Sequence, residues 1–314
     1  MNSITKNSFE SKAKLMITGE YLVLNGALSL AIPLKFGQRI TITESEGVPS
    51  VRWKSLINND FWFSAKFILP DFTISNTNQT DVAETLRKIL VTAQDLNSGF
   101  LNKYQKYQVL SEMDFVPEWG IGSSSSLISN IAYWANCNAF DLNKLIFNGS
   151  GYDIACSRSS NPIIYKIVGN TPSYQKSNFN PPFYKHLFFV YLNRKQSSKE
   201  SIQKSDLSHV TIKTIDTISE ITREIEKSDN LEAFQKHLER HEALTGKILR
   251  KIPVKTQHFN DFNGSVKSLG AWGGDFIMVA SSAPEEYVRN YFSDKELNII
   301  FRYDDIVINE DPKT

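Results

Sequence analysis

Two glycines and four serines stand directly before an apolar helical pattern in the segment PEWGIGSSSSL, which runs from Pro117 to Leu127. Glycine lets a backbone turn tightly and approach a ligand closely. The first turn of a helix presents unpaired N–H groups and the positive end of the helix dipole. Serine hydroxyls add groups that can bond phosphate oxygens or reach a metal ion. The composition therefore predicts a phosphate site at the start of this helix, and the alternative is an ordinary helix N-terminus capped by serine.

The segment matches neither of the two common nucleotide motifs. Ser125 stands where the dinucleotide fingerprint has its third glycine. The only Gly-Lys pair, Gly246-Lys247, lies within a helical pattern and has His241 where a Walker A motif has its first glycine. A Gly-x-Gly turn taken alone favours the capping interpretation, so further motifs are needed to decide.

A carboxylate and a histidine pair are the other candidates for chemistry. Asp153, in GSGYDIA, could accept or orient the proton of an attacking oxygen, and the alternative is an exposed loop or cap residue. His237 and His241 are four residues apart on a predicted helix, which can be metal-site geometry. Leu238 stands where an HExxH metal site needs glutamate, so we interpret the two histidines as solvated or packed.

Composition excludes several classes of protein. The chain has 314 residues, of which 35 are basic and 34 acidic, so the net charge of +1 gives no electrostatic reason to expect nucleic-acid binding. No run of about 18 apolar residues predicts a membrane span, and the N-terminal segment lacks the apolar core of a signal peptide. Cys137 and Cys156 have no metal-site spacing and are expected to be buried thiols. We therefore expect a cytoplasmic protein without a nucleic-acid or membrane partner.

The elements that must position these residues follow from hydrophobic periodicity. Strands are expected over the first forty residues, broken at Gly19-Glu20 and Asn25-Gly26, and again in VRWKSL, DFWFSAKFIL and KYQVLSEM. Helices are expected from Asp81 to Leu96, from Ser123 to Ala139 and from Asp141 to Phe147.

The second half has a different order of elements. Residues 169–182, GNTPSYQKSNFNPP, have the composition of a linker or surface loop and mark a candidate domain boundary. Helices are expected at 198–204, 210–227 and 231–250, and GSVKSLGAWGGDFIMVAS reads as strand, glycine-rich turn and strand. Strands without strict alternation, followed by helices between strands, indicate an α+β fold.

Three ordered stretches together resemble the GHMP small-molecule kinases, which include galactokinase, homoserine kinase, mevalonate kinase and phosphomevalonate kinase. PEWGIGSSSS resembles their Pro-x-x-Gly-Leu-Gly-Ser-Ser motif, SKAKLMITGEYLVLNG their N-terminal motif, and KSLGAWGGDFIMVA their C-terminal glycine motif. GSGYDIACS resembles the segment with the catalytic aspartate. Gly-Glu-Tyr and Gly-Gly-Asp are most similar to phosphomevalonate kinase, whereas YLNRKQSSKESI is similar to mevalonate kinase.

The resemblance implies a two-domain GHMP kinase fold. Residues 1–180 would form the ATP-binding N-terminal domain, similar to domain 2 of ribosomal protein S5. Residues 181–314 would form a ferredoxin-like C-terminal domain.

The resemblance also implies roles for individual residues. The catalytic residues would be Asp153 and Lys14, with Lys12 as an alternative to Lys14. Residues expected to hold ATP are Gly120, Gly122, Ser123, Ser124, Ser125, Gly270, Gly273 and Gly274. Ser124 would also be a Mg²⁺ ligand. Residues expected near a small anionic substrate are Glu20, Tyr21, Arg194, Lys195 and Lys199.

Two departures from the family pattern leave alternatives open. No glutamate precedes Asp153 by about a dozen residues, where mevalonate kinases have a metal ligand; Asp141 is the nearest carboxylate and is more typical of a helix cap. Trp272 stands in the glycine motif where the family has glycine, and Trp119 lies beside Gly120; both are expected either to wall the nucleotide or substrate pocket or to fill a gap.

The sequence thus predicts an ATP- and Mg²⁺-dependent kinase that phosphorylates mevalonate or phosphomevalonate in isoprenoid precursor synthesis. The alternatives are a nucleotide-binding protein of this fold without kinase activity, and a kinase for another small alcohol such as homoserine or a sugar. The sequence does not decide the oligomeric state, and a homodimer is compatible with it.

Overall fold

A computed structural model describes residues 5–101, 105–194, 206–270, 272 and 274–308. The predicted helix at 198–204 lies outside these residues. The chain divides into two compact units, and each unit is assembled from several stretches of sequence. The first unit comprises Met1–Ala13, Phe36–Pro117 and Gly122–Arg158, and the second comprises Lys14–Lys35, Glu118–Ile121 and Ser159–Thr314. The predicted division into functional domains at residue 180 stays a prediction.

The first unit contains strands of a mixed sheet and four helices. Strand order is β5-β4-β3-β6-β2, with β1 also paired to β2; β3 and β6 are parallel and the other registered pairs are antiparallel. The elements are β1 (Thr5–Thr18), β2 (Ser29–Ser45), β3 (Ser50–Ile57), β4 (Asp60–Ile68), β5 (Thr73–Thr77), α1 (Thr80–Leu96), β6 (Lys106–Met113), α2 (Ser123–Ala135), α3 (Ala139–Phe147) and α4 (Tyr152–Ser157). The first residues of β2 and the last residues of β1 belong to the second unit.

Side-chain periodicity explains the core of the first unit. Alternate residues of β3 and β6 are buried, as the period of two along a strand requires. On α1 the buried positions Ala83, Leu86, Leu90 and Ala93 recur at helical spacing. Together with Ile128 and other residues of α2 they form one continuous apolar cluster.

The second unit contains a four-stranded antiparallel sheet in the order β10-β11-β9-β12 and an antiparallel β7-β8 pair, whose β7 also pairs with Ser29–Ala31 at the start of β2. Its elements are β7 (Ile163–Val168), β8 (Thr171–Lys176), β9 (Leu187–Tyr191), α5 (Ile212–Glu226), α6 (Leu231–Leu249), α7 (Val254–His258), β10 (Ser265–Ser268), β11 (Phe276–Ala280), α8 (Glu285–Ser293), β12 (Ile300–Arg302) and α9 (Tyr303–Ile306). Every residue of β9 and β11 is buried, which accounts for their unbroken apolar sequences.

Three expectations about local structure were wrong. The segment 169–182 is not simply a loop, because β8 lies within it and pairs with β7. This strand is largely exposed and contains Pro172, so it has neither apolar alternation nor a full set of N–H donors. Leu22–Asn25 form a 3₁₀ turn rather than a strand. Helix α2 ends at Ala135 because Asn136 adopts a left-handed backbone with φ +50°.

Candidate active site

The serine-rich segment forms the first turn of α2 in the first unit. Gly122 is the N-cap residue with φ +109°, and no side-chain hydrogen bond caps this end among the described residues. The Ser125 hydroxyl donates to the Gly122 carbonyl at 3.0 Å, while Ser124 is exposed and Ser123 half-buried. The serines therefore do not cap the helix, and its first N–H groups retain their capacity to bind an anion. The predicted contact of the Ser125 hydroxyl with phosphate stays a prediction.

A cavity of about 290 Å³ in the first unit is lined by Ser123 and Ser124. Its other walls include two indoles, Trp53 and Trp62, and the side chain of Leu86. Flat aromatic and aliphatic surfaces suit a planar organic ring, whereas the start of α2 suits an anion. The arrangement can hold a molecule with an apolar ring at one end and phosphate at the other.

The side chain of Gln38 links the sheet to the start of α2. Its Nε2 donates to the Ser111 hydroxyl of β6 at 2.9 Å, and its Oε1 accepts from the Ser126 hydroxyl of α2 at 2.8 Å. The Gln38 carbonyl accepts from the Asn130 amide at 2.8 Å. These groups are buried, so each bond is costly to break. Together the bonds hold the N-terminal half of α2 against strands β2 and β6. Sequence analysis missed Gln38 because its partners are far apart in the chain.

We expect Ser126→Ala to raise the dissociation constant for ATP about threefold to tenfold, because Gln38 loses one of the bonds that position the first turn of α2. Ser126 is fully buried and is not among the residues that line the cavity, so the effect reports on position rather than on lost contact. Calorimetric titration with ATP measures it. The exposed Ser98→Ala variant is the control, and equal affinities for both variants would contradict the positioning role.

The structure places Asp153 in the first turn of α4, in the same unit as the serine turn. Asp153 is half-buried, and its Oδ1 accepts from the Ile154 N–H at 3.0 Å. Helix α4 packs against α2, where the Ser157 and Ser129 hydroxyls are 2.7 Å apart. The two predicted parts of the catalytic site, carboxylate and phosphate cradle, therefore belong to a packed pair of helices.

Lys14, Gly120 and Asp275 meet in the second unit. Lys14 is 8% exposed; its backbone N–H donates to the Ile121 carbonyl at 2.8 Å and its Nζ to the Gly120 carbonyl at 3.4 Å. Gly120 has φ +68°, and a Cβ atom there would lie 2.5 Å from the Asp275 carboxylate. The glycine before the serine turn is therefore required by a close approach to Asp275.

Asp275 is a candidate site residue that the sequence analysis did not single out. It is 5% exposed, has φ +55°, and its N–H donates to the Arg194 carbonyl at 2.7 Å. A Cβ atom on Gly270 would lie 3.8 Å from its Oδ2. Its position at the end of the Gly-Gly-Asp motif was the available signal. Gly274 immediately precedes it and is buried, whereas Gly273 lies outside the described residues.

We expect Gly120→Ala to lower the free energy of unfolding by about 2–4 kcal/mol, because a positive φ is strained and the added methyl collides with Asp275. Chemical denaturation measures the loss. Gly169→Ala is a matched control with φ +55° and no atom within 4 Å of the added Cβ, so it should cost only the backbone strain, about 1 kcal/mol. Equal losses in the two variants would show that the approach of Asp275 is unimportant.

The two tryptophans near the glycine motifs have different surroundings. The Trp272 N–H donates to the Tyr21 hydroxyl at 2.8 Å, and its indole lines a second cavity. Tyr21 has φ +66° and is buried. Trp119 packs edge-on against Phe301, with ring centroids 5.3 Å apart. Trp272 is thus a wall residue, and Trp119 contributes to aromatic packing.

Glu20 lies in a buried polar cluster of the second unit, which we call the Glu20 cluster: Glu20, His241, Glu242 and Lys267. The Lys267 ammonium donates to Glu20 Oε1 and to the Ser268 carbonyl. Glu242 Oε1 accepts from the Ser268 hydroxyl at 3.0 Å. One buried ammonium therefore faces two buried carboxyl groups.

Burial determines how the Glu20 cluster ionises. It raises the pKa of Glu20 to about 7, with partial opposition from the Lys267 charge. It also raises the pKa of Glu242. His241 Nε2 accepts from the Gly19 N–H at 3.0 Å, and burial lowers the pKa of His241 well below its usual value, so this ring is neutral. The predicted contact of Glu20 with substrate stays a prediction; in the structure its carboxylate accepts from the Lys267 ammonium.

The remaining predicted residues give no metal centre by themselves. Arg194 is exposed, and Lys195 and Lys199 lie outside the described residues. The described residues contain no group of three or more His, Cys, Asp or Glu side chains that could hold a metal ion, and His237 lies beside Glu224 rather than in such a group. Asp141 is exposed, and Asn138 rather than Asp141 caps α3.

Among the described helices, none is long and apolar enough to cross a membrane.

Comparison with known proteins identifies the fold. No protein-family model matches the sequence. No curated protein matches it. Among solved structures, phosphomevalonate kinase from Streptococcus pneumoniae, in complex with phosphomevalonate and AMPPNP, is similar with a TM-score of 0.70 and 17% identity over 94% of this chain and 99% of that one. Mevalonate kinase from Methanococcus jannaschii matches with a TM-score of 0.68 and 17% identity over 98% and 99%. A putative sugar kinase from Campylobacter jejuni matches with a TM-score of 0.64 and 12% identity, over 99% of this chain and 98% of that one. The predicted α+β class is confirmed, and the chain has the fold of the GHMP kinases.

Proposed function

We propose that this protein transfers the γ-phosphoryl group of ATP to a small anionic acceptor of the mevalonate type, phosphomevalonate or mevalonate. The observation that carries the proposal is the first turn of α2, which has no side-chain cap from any described residue and lies beside a cavity walled by Trp53 and Trp62. This arrangement offers amide donors for phosphate and a flat apolar surface for adenine. The GHMP kinase fold supports the same assignment.

In the proposed reaction, different residues would bind the phosphates, orient the acceptor and neutralise charge. N–H groups of the α2 first turn would bind the terminal phosphates, and Asp153 would orient the acceptor oxygen or take its proton. That oxygen forms a bond to the γ-phosphorus while the bond from phosphorus to the β–γ bridging oxygen breaks, and ADP leaves. The Lys14 ammonium would offset the negative charge that develops during transfer.

Mg²⁺ fits the site only together with the nucleotide. Ser124 supplies one exposed hydroxyl at the start of α2, and no acidic cluster among the described residues would hold the ion alone. Mg²⁺ commonly binds through few protein ligands plus substrate phosphates, which agrees with such a sparse donor set. When bound, it would neutralise phosphate charge and leave positioning to the protein.

An ADP-release assay with ATP and Mg²⁺ tests the proposal, with mevalonate and phosphomevalonate as separate acceptors. We expect turnover with one of them, and the preferred acceptor decides between the two kinase types. Homoserine and galactose are the comparison acceptors, and turnover confined to them would refute the mevalonate-type assignment. If the protein binds ATP but does not release ADP with any of the tested acceptors, it is instead a nucleotide-binding member of this fold.

A further inference from the structure

A second cavity, of about 220 Å³, lies entirely within the second unit. Its apolar lining includes the buried side chains of Val254 and Phe259 and the indole of Trp272. Drug-sized molecules generally occupy pockets of about 300–1,000 Å³, so this cavity suits something smaller. The apolar residues define room for a short hydrocarbon body.

The polar lining of this cavity is cationic or neutral. Arg194 and Lys295 bring two positive charges, and His258 and Gln257 add hydrogen-bond donors. Among the described residues, no carboxylate lines this cavity and neither Arg194 nor Lys295 forms an ion pair with an acid. Lys295 lies 4.8 Å from the Tyr291 ring centroid. The Tyr291 hydroxyl donates to Asp261 and lowers the pKa of that carboxyl, and the Lys295 charge adds a smaller effect in the same direction without a direct contact. Two cations that form no ion pair among the described residues favour an anion with two charges.

We propose that this cavity binds a small organic phosphate, with the phosphate held by Arg194 and Lys295 and the hydrocarbon part against Trp272 and Phe259. A guanidinium can form a bidentate pair with phosphate oxygens, and a lysine ammonium contributes a mobile second charge. A phosphate dianion matches the two cations, whereas a carboxylate would leave one unneutralised.

The position of Trp272 links this cavity to the glycine motif. Its backbone N–H donates to the Tyr21 hydroxyl, and the residue lines the cavity. Arg194 is anchored similarly, because its carbonyl accepts from the Asp275 N–H. A ligand here would therefore contact residues whose backbones are fixed by Tyr21 and Asp275.

Calorimetric titration of the full chain, without ATP, tests the proposal with three probes: inorganic phosphate, isopentyl phosphate and phosphomevalonate. We expect isopentyl phosphate to bind about tenfold more tightly than inorganic phosphate, because its hydrocarbon part is buried. Arg194→Ala and Lys295→Ala should each weaken binding about tenfold, since each removes a charge-assisted contact. Lys236→Ala removes the same charge from an exposed position on α6 and is the control.

Trp272→Phe identifies the location independently. Binding of isopentyl phosphate should change tryptophan emission in the unmodified protein, and most of that change should disappear in the variant. No binding by either alkyl probe at millimolar concentration, or equal affinities for Lys295→Ala and Lys236→Ala, would overturn the proposal.

Competition distinguishes two sources of the ligand. Displacement of isopentyl phosphate by phosphomevalonate would identify the cavity with the acceptor, and simultaneous binding would identify a separate organic-phosphate site. Both results support the cavity as a phosphate site. Because the titration needs neither ATP nor turnover, its failure is distinguishable from failure of the proposed kinase reaction.

Discussion

Lys267→Met is expected to lose about 3–5 kcal/mol of unfolding free energy at about pH 8, because it removes the only ammonium from the Glu20 cluster. Lys267 is 1% exposed, and Glu20 and Glu242 are 6% and 3% exposed. Without the ammonium, two carboxyl groups remain in a region of low dielectric, where an unpaired charge is costly. Methionine retains most of the side-chain volume, so the loss reports on charge rather than on a cavity.

The loss should shrink at acidic pH. Burial raises the pKa of both Glu20 and Glu242, so the carboxyl groups can take protons instead of remaining as unpaired anions. For Glu20 the folded-state pKa of about 7 exceeds the ordinary value of 4.5. The folded state therefore binds a proton more tightly than the unfolded state does. This contribution to stability is fully present below the unfolded-state pKa of 4.5 and is lost as the pH rises through the folded-state pKa of about 7.

Urea denaturation of the two proteins across this pH range measures both effects. Glu20→Gln combined with Lys267→Met is the matched control, because it removes the anion together with its cation and should recover part of the lost stability. A Lys267→Met loss below about 1 kcal/mol at every pH, within the range of an exposed pair, would show that the cluster does not contain a buried ion pair.

Asp153→Asn is expected to lower kcat by roughly 10²–10⁴-fold, the range that a positioned general base contributes. The amide keeps the shape of the carboxylate but cannot accept the proton of an acceptor hydroxyl. Affinity for ATP should change little, since the proposal assigns nucleotide binding to the start of α2. ADP release and calorimetric titration measure the two quantities separately.

The control for this variant is Asp95→Asn, the same chemical change at an exposed position of α1 in the first unit. Its kcat should stay within about twofold of the original, as expected for a surface substitution. If Asp153→Asn folds and turns over ATP as fast as the control, Asp153 is not the catalytic carboxylate.

The sequence by itself determined most secondary structure and the class of fold. Apolar residues alternate with polar ones in β3 and β6 and recur at helical spacing in α1. These patterns involve residues close in the sequence, so they can be recognised without knowledge of tertiary contacts. The resemblance of three ordered stretches, one of them 117–127, to kinase motifs predicted the GHMP fold that the solved structures confirm. Exposed β8 was missed because an edge strand needs no apolar pattern.

Tertiary structure alone decided which polar residues support the site. Gln38 meets Ser126 across 88 positions of sequence, and Lys267 meets Glu20 across 247. A lysine or glutamine in the sequence predicts an exposed side chain, because the cost of burial is offset only by partners that the fold brings close. The requirement for glycine at position 120 likewise comes from Asp275, whose carboxylate occupies the space of a Cβ atom. Local sequence pattern thus specified the helices and strands. Contacts between residues distant in the sequence specified which charges are buried and where the backbone approaches a side chain closely.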